Sequence, residues 1–175
     1  MAETGKSLPK SIVDEFRTLS TANVSDALDR LGIRGGCEGI SAVIPGAKAV
    51  GLAFTVRYAP VGTQPKDVGD YVDLAEPGDI IVIDNAGRTY CTVWGDLLTL
   101  AAVKRGIAGT VIDGVCRDVH RIAELQYPIF TKGKFMVTGK DRVQLEATRE
   151  PVSISNVRVR PVSYTHLTLP TIYSV

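Results

Sequence analysis

The apolar positions Ile12, Val13, Phe16 and Leu19 fall at helical spacing, so the chain is expected to open on a short helix. A second helix is predicted from about Val24 to Leu31. Asp26 and Asp29 lie on its outer face, and Gly32 stops it because glycine accepts the left-handed backbone that ends helices. From Ala42 to Ala59 the pattern becomes that of strands: Val43-Ile44, a Pro-Gly turn at 45 and 46, then the mostly buried run Ala49 to Val56. Lys66 to Leu74 reads as a short helix, Glu76-Pro77-Gly78-Asp79 as a turn, and Ile80 to Ile83 as an apolar strand ending at Asp84-Asn85. Gly87 to Trp94 reads as a loop or extended piece, followed by a helix from about Asp96 to Arg105 that Gly106 stops. A strand over Gly109 to Asp113, then Gly114 and a helix beginning near Asp118, complete a βαβ rhythm. Beyond Pro128, Ile129-Phe130, Phe135-Met136-Val137, Val152-Ser153-Ile154 and Val157-Arg158-Val159 are short extended pieces, some expected to be antiparallel. Together these elements predict an α/β sandwich with a mixed sheet.

Composition narrows the class. At 175 residues the chain suits one domain with a sizeable core, and 45% apolar with 22% charged residues is ordinary for a globular protein. Twenty basic and nineteen acidic residues give a net charge of +1, so no overall field draws the molecule to nucleic acid or to an anionic membrane. Cys37, Cys91 and Cys116 are odd in number and far apart, with no C-x-x-C pair, which suits reduced thiols in the cytoplasm. The polar start Met-Ala-Glu-Thr-Gly-Lys has no apolar signal region behind it, and no stretch approaches the roughly 20 apolar residues of a membrane span. A cytoplasmic protein, neither secreted nor membrane-bound, is therefore expected.

The segment from Pro161 to Val175 breaks from the rest, with no Lys, Arg, Asp or Glu and no clear period. It resembles a translated sequencing-adapter read-through, so 162–175 is taken as a non-native tail and Arg160-Pro161 as the last native dipeptide. The rival is a Thr-rich C-terminal strand with a Leu-Pro turn.

The chemistry concentrates in Gly95-Asp96-Leu97-Leu98, twenty intervening residues after Asp96, and Arg117-Asp118. Each half follows a strand and opens a helix, where α/β folds place their sites. Free amides at the start of the 96–105 helix would hold a small carboxylate. Arg117 adds a planar fork that pairs with a carboxylate or an enolate oxygen. Asp118 offers a hard oxygen ligand, suited to Mg²⁺ or Mn²⁺ with water filling the other positions. The competing view makes Arg117 and Asp118 solvated surface charges and Asp96 a helix cap. His120 and His166 are the only histidines, so no zinc set exists, and His120 reads as a helix-surface residue. Cys116 reads as a small buried residue whose pKa Arg117 could lower. Asp84 and Asp113 are expected to cap or orient loops at strand ends, and Trp94 to pack over the site entrance.

The run Trp94 to Ala102 with Gly109 to Asp118, carrying Asp96-x20-Arg117-Asp118, resembles the family of 4-hydroxy-4-methyl-2-oxoglutarate aldolases and the related regulator of ribonuclease E activity A. The resemblance runs from about Ser20 to Pro161, so residues 1–161 would be one RraA-like domain cut short at its C-terminus. It implies a three-layer β/β/α swivelling-type fold and a homotrimer with sites between subunits. The implied activity is that of a metal-dependent class II pyruvate aldolase that also decarboxylates oxaloacetate. Gly95 to Leu98 would contact substrate, Arg117 would bind pyruvate, Asp118 would ligate the metal and Asp96 would hold a metal-bound water. Two departures stand out. Val119 is followed by His120-Arg121 where many relatives carry an acidic pair, and relatives continue past Pro161 to a glutamate that reaches the neighbouring subunit's site. The alternative within the family is a non-catalytic regulator that binds and inhibits ribonuclease E. A menaquinone methyltransferase is disfavoured, because no Gly-rich nucleotide-cofactor loop follows a strand.

Overall fold

The computed structural model describes residues 10–62, 70–161, 164–168 and 171–174, the last two segments as backbone only. Helices α1 (Lys10–Thr18) and α2 (Thr21–Arg30) open the chain. Ser20 caps α2 by accepting from the Asn23 amide, while the Asn23 side chain returns a bond to the Ser20 amide. Asp26 and Asp29 face outward, and Gly32 leaves the helix with a φ of 66°.

The strands follow as β1 (Ser41–Ala42), β2 (Lys48–Pro60), β3 (Ile80–Thr92), β4 (Gly109–Cys116), β5 (Ile129–Lys134), β6 (Val143–Thr148), β7 (Val152–Ile154), β8 (Val157–Val159), β9 (Tyr164–Thr168) and β10 (Thr171–Ser174). Helix α3 (Asp96–Arg105) joins β3 to β4, and α4 (Val119–Glu124) joins β4 to β5. The main sheet has the order β1-β5-β4-β3-β2-β9-β10, with β6 also on β2. Its centre, β2 to β5, is parallel, whereas β1, β6 and β9 join antiparallel, so the sheet is mixed.

Parallel central strands are covered on both faces, which is why Ile80 to Ile83 and Gly109 to Cys116 are continuous buried runs. Alternate residues serve different layers. Ile81, Ile83 and Ile112 pack toward Ala102 of α3 and Ile122 of α4, while Ile80, Val82 and Val111 pack toward Val152, Ile154, Val157 and Val159 of the β7–β8 hairpin. Helices, mixed sheet and hairpin are the three expected layers.

Several boundaries differ from the sequence expectation. β3 does not stop at Asp84-Asn85 but runs to Thr92. Ala86 and Gly87 take positive φ values of 50° and 68°, and the register with β4 shifts twice, so the bulged strand continues past residues that look like a terminator. Phe135 to Val137 is not a strand, because Val137 gives its carbonyl to the Thr92 amide from a loop. The strand expected at Val43-Ile44 lies two residues earlier, at Ser41–Ala42. Of the helix expected over Lys66 to Leu74, residues 66–69 lie outside the described residues and Val72–Leu74 is a single 3-10 turn. Residues 164–168 and 171–174 form a backbone hairpin on β2, the course that the strand alternative for this segment anticipates.

Candidate active site

The site lies where β3 and β4 end and α3 and α4 begin. The Arg117 amide donates to the Trp94 carbonyl at 3.0 Å, which brings the two strand ends together. Gly95 is the N-cap of α3, and a side chain there has no room. A Cβ would sit 2.7 Å from Asp118 Oδ2 and 3.3 Å from Cγ and Nε of Arg117. Glycine is required by this close approach of the Arg117-Asp118 pair.

Asp118 is the N-cap of α4, yet its side chain makes no capping bond. Its backbone is left-handed, with φ 55° and ψ 36°, a region that non-glycine residues rarely adopt and that Asp tolerates better than most. That turn aims the carboxylate away from α4 and at the start of α3. Asp118 Oδ2 accepts from the Asp96 amide at 3.3 Å and lies 3.3 Å from Arg117 Nε. Its second oxygen, Oδ1, accepts no hydrogen bond from the described residues. The side chain is 31% exposed and lines a hollow together with Arg117.

Arg117 has only Nε committed, and its two terminal nitrogens carry no bond to the described residues. The fork is 40% exposed and faces the same hollow. Asp96 uses Oδ1 to accept from the Leu97 amide at 2.8 Å, leaving Oδ2 without a described partner. Of the amides expected to cradle a carboxylate, those of Asp96 and Leu97 therefore meet the site's own aspartates, and the Leu98 amide is open.

Gly95, Asp96, Leu97, Leu98 and Arg117 line one cavity of about 230 Å³ together with Thr138, Gly139 and Lys140. A second hollow of about 440 Å³ meets it at Arg117 and runs past Asp118, Lys134, Phe135 and Met136. All of the predicted site residues are thus brought together. Trp94 is the exception to its expected place, since it is 2% exposed and lies beneath the site, not over its entrance. Its indole N–H donates to Thr99 Oγ1 at 2.8 Å, and its ring stacks on Tyr127. Thr99 in turn donates to the Gly95 carbonyl at 2.8 Å and fixes the helix start. Thr99 falls inside the Trp94 to Ala102 run but without a role assigned from sequence, and the Thr138 to Lys140 loop is marked by no motif.

Cys116 is fully buried, and burial pushes its thiol up to about 11, a backbone hydrogen bond opposing the rise, with smaller effects from Asp118 upward and Lys134 downward. Arg117 does not activate it. Asp84 and Asp113 do orient a loop element, accepting from the amides of Ser153 and Ser155 on the β7–β8 hairpin.

Asp118 Oδ1 is the observation that fits a divalent ion. Among the described residues no group of three His, Cys, Asp or Glu side chains stands together, so an ion here would keep most of its coordination as water, as Mg²⁺ and Mn²⁺ do. No helix among the described residues is long and apolar enough to cross a membrane.

Comparison with known proteins agrees with this fold. The family model RraA-like (Aldolase/RraA) matches residues 21–166. Protein DlpA of Legionella pneumophila is 40% identical over 154 residues, covering 86% of this chain and 25% of that protein. A putative 4-hydroxy-4-methyl-2-oxoglutarate aldolase of Halalkalibacterium halodurans is 34% identical over 155 residues, covering 85% of this chain and 69% of that protein. A solved structure of an uncharacterized protein from Pseudomonas syringae superimposes with a TM-score of 0.91 at 42% identity, covering 98% of this chain and 82% of that one. The chain thus spans only a quarter of DlpA but over two thirds of the Halalkalibacterium protein.

Proposed function

The chain belongs to the RraA-like family, and from that premise we propose that it is a subunit of a divalent-metal-dependent lyase. Its substrates are 2-oxo acids of the 4-hydroxy-4-methyl-2-oxoglutarate type, cleaved to pyruvate, and it also decarboxylates oxaloacetate. The observation that carries the proposal is Asp118, turned out of its own helix with one carboxylate oxygen open beside the free end of the Arg117 fork.

Asp118 would hold the ion, which when bound supplies Lewis-acid polarisation of the 2-oxo group. Arg117 donates from its terminal nitrogens to the oxygen on which negative charge builds as the carbon–carbon bond breaks and a pyruvate enolate is left. The open Leu98 amide and the start of α3 orient the substrate carboxylate. Asp96, through its Oδ2, holds the water that takes the 4-hydroxyl proton in aldol cleavage and, in both reactions, returns a proton to the methylene carbon of the enolate. Aldol cleavage and decarboxylation share that enolate, so one arrangement serves both. No Schiff-base lysine takes part.

Leu97 is 76% and Met136 79% exposed beside this centre, and Phe135 adjoins them. Exposed apolar side chains around a polar site support an assembly in which a second copy covers it, with a homotrimer as the form. The alternative, a non-catalytic chain that inhibits ribonuclease E, has no use for an uncapped carboxylate.

The test is pyruvate release from 4-hydroxy-4-methyl-2-oxoglutarate and from oxaloacetate with Mg²⁺, repeated in EDTA. Turnover that disappears in EDTA and returns with Mg²⁺ is expected. Metal-independent turnover, or none from a folded chain, would overturn the proposal.

A further inference from the structure

We infer that Lys140 is a specificity-determining residue that pairs with the second carboxylate of a dicarboxylic 2-oxo acid held by Arg117, an assignment that rests on the function proposed above. The 230 Å³ cavity that Arg117 and Asp96 line is also lined by Lys140, from a separate segment of the chain. Lys140 is the second cation of that cavity, and because Arg117 is already ion-paired with Asp118, Lys140 is the one whose charge is left for a second carboxylate. The Lys140 ammonium has no hydrogen bond or ion pair with the described residues.

The loop beneath it is built, not loose. Thr92 holds Val137 twice, its amide at 2.9 Å and its hydroxyl at 3.1 Å donating to the same carbonyl. Gly139 lies against the Thr92 carbonyl so closely that any Cβ would collide with it, and its own carbonyl accepts from the amides of Arg142 and Val143 at 2.9 Å. The Lys140 amide donates to Thr138 Oγ1, and Arg142 clasps the carbonyls of Thr138 and Lys140 at 3.3 Å. A backbone fixed at this many points sets where the Lys140 side chain leaves the loop beside the cavity. The main chain of Lys140 is ordered before ligand arrives, so a partner of opposite charge gains from it at low ordering cost.

The test is calorimetric titration of 2-oxoglutarate, which has a second carboxylate, and of pyruvate, which lacks one, into the wild-type, Lys140→Gln and Lys140→Arg chains with Mg²⁺. Lys140→Gln should weaken 2-oxoglutarate about tenfold and leave pyruvate unchanged, and Lys140→Arg should restore 2-oxoglutarate to within about threefold of wild type. Equal weakening of both ligands, no weakening of 2-oxoglutarate, or no binding of either ligand to the wild type would overturn the assignment. Oxaloacetate turnover measured alongside separates the two claims: binding that follows the predicted pattern without turnover defeats the proposed lyase and supports the role of Lys140.

Discussion

Two pairs of aspartates, one within the central strands β3 and β4 and one just beyond their ends, have opposite surroundings. Asp84 and Asp113 sit at matching positions on β3 and β4 and face the hairpin; three of their carboxylate oxygens accept hydrogen bonds and the fourth, Asp113 Oδ1, is held by an ion pair alone. Asp84 accepts from the amides of Ala86 and Ser153, and Asp113 accepts from the Ser155 amide and pairs with Lys132 at 2.6 Å. Asp96 and Asp118, at the helix starts beyond the same strands, each keep one oxygen without a partner among the described residues. Asp118 also holds a left-handed backbone that a cap would not need. The first pair ties layers together. In the second pair each carboxylate has one oxygen left over, and Asp118 also bears backbone strain, which is the mark of a group kept for a ligand.

The comparison is most strongly tested by removing a member of the satisfied pair. Asp113 is 8% exposed at its side chain, so Asp113→Ala strands Lys132 and frees the hairpin. A loss of about 3 kcal/mol in denaturant-monitored stability is expected; a loss below 1 kcal/mol would dissolve the distinction. On the other side, Gly95→Ala should push Asp118 Oδ2 off its position and lower oxaloacetate turnover about 100-fold, with a smaller change in stability. Unaltered turnover would mean that the close approach has no role. Asp118→Gly relieves the left-handed strain, so melting and denaturation should show the variant about 0.5 kcal/mol more stable than its parent even though turnover is lost.

The smallest effect concerns thiols that the site does not use. Burial pushes Cys116 to about 11 and Cys37 to about 12, from an ordinary value of 9.0. Both folded-state values are raised, so the native chain keeps protons that the unfolded chain gives up. Their contribution is fully present below pH 9 and falls as pH rises from there through 11 and 12. Stability measured across that window should decline, and neither thiol should react with iodoacetamide at about pH 8 until the chain unfolds.

What was legible in the sequence follows from how locally each feature is determined. The buried strands stand out because both faces need apolar residues, and helix stops at Gly32 and Gly106 show because the backbone there is left-handed. The continuation of β3 past Asn85 does not show, since Ala86-Gly87 looks like a stop and only pairing with β4 reveals a bulge. β6 was missed because Val143 to Thr148 is half exposed and lacks a clean period. Asp96, Arg117 and Asp118 were legible through contiguous motifs. The conformation of Asp118, the Trp94–Thr99–Gly95 chain of hydrogen bonds and the Lys140 wall depend on contacts between distant segments, which no spacing encodes.

The central claim is that Asp118, unlike the structural aspartates, is left open for a divalent ion. Binding of Mn²⁺ in the presence of pyruvate, followed by electron paramagnetic resonance of the free ion, tests it in the wild type, Asp118→Asn and Asp84→Asn. Wild type and Asp84→Asn should bind alike, and Asp118→Asn should weaken binding at least about 100-fold. Binding retained in Asp118→Asn, or lost equally in both variants, would contradict the account.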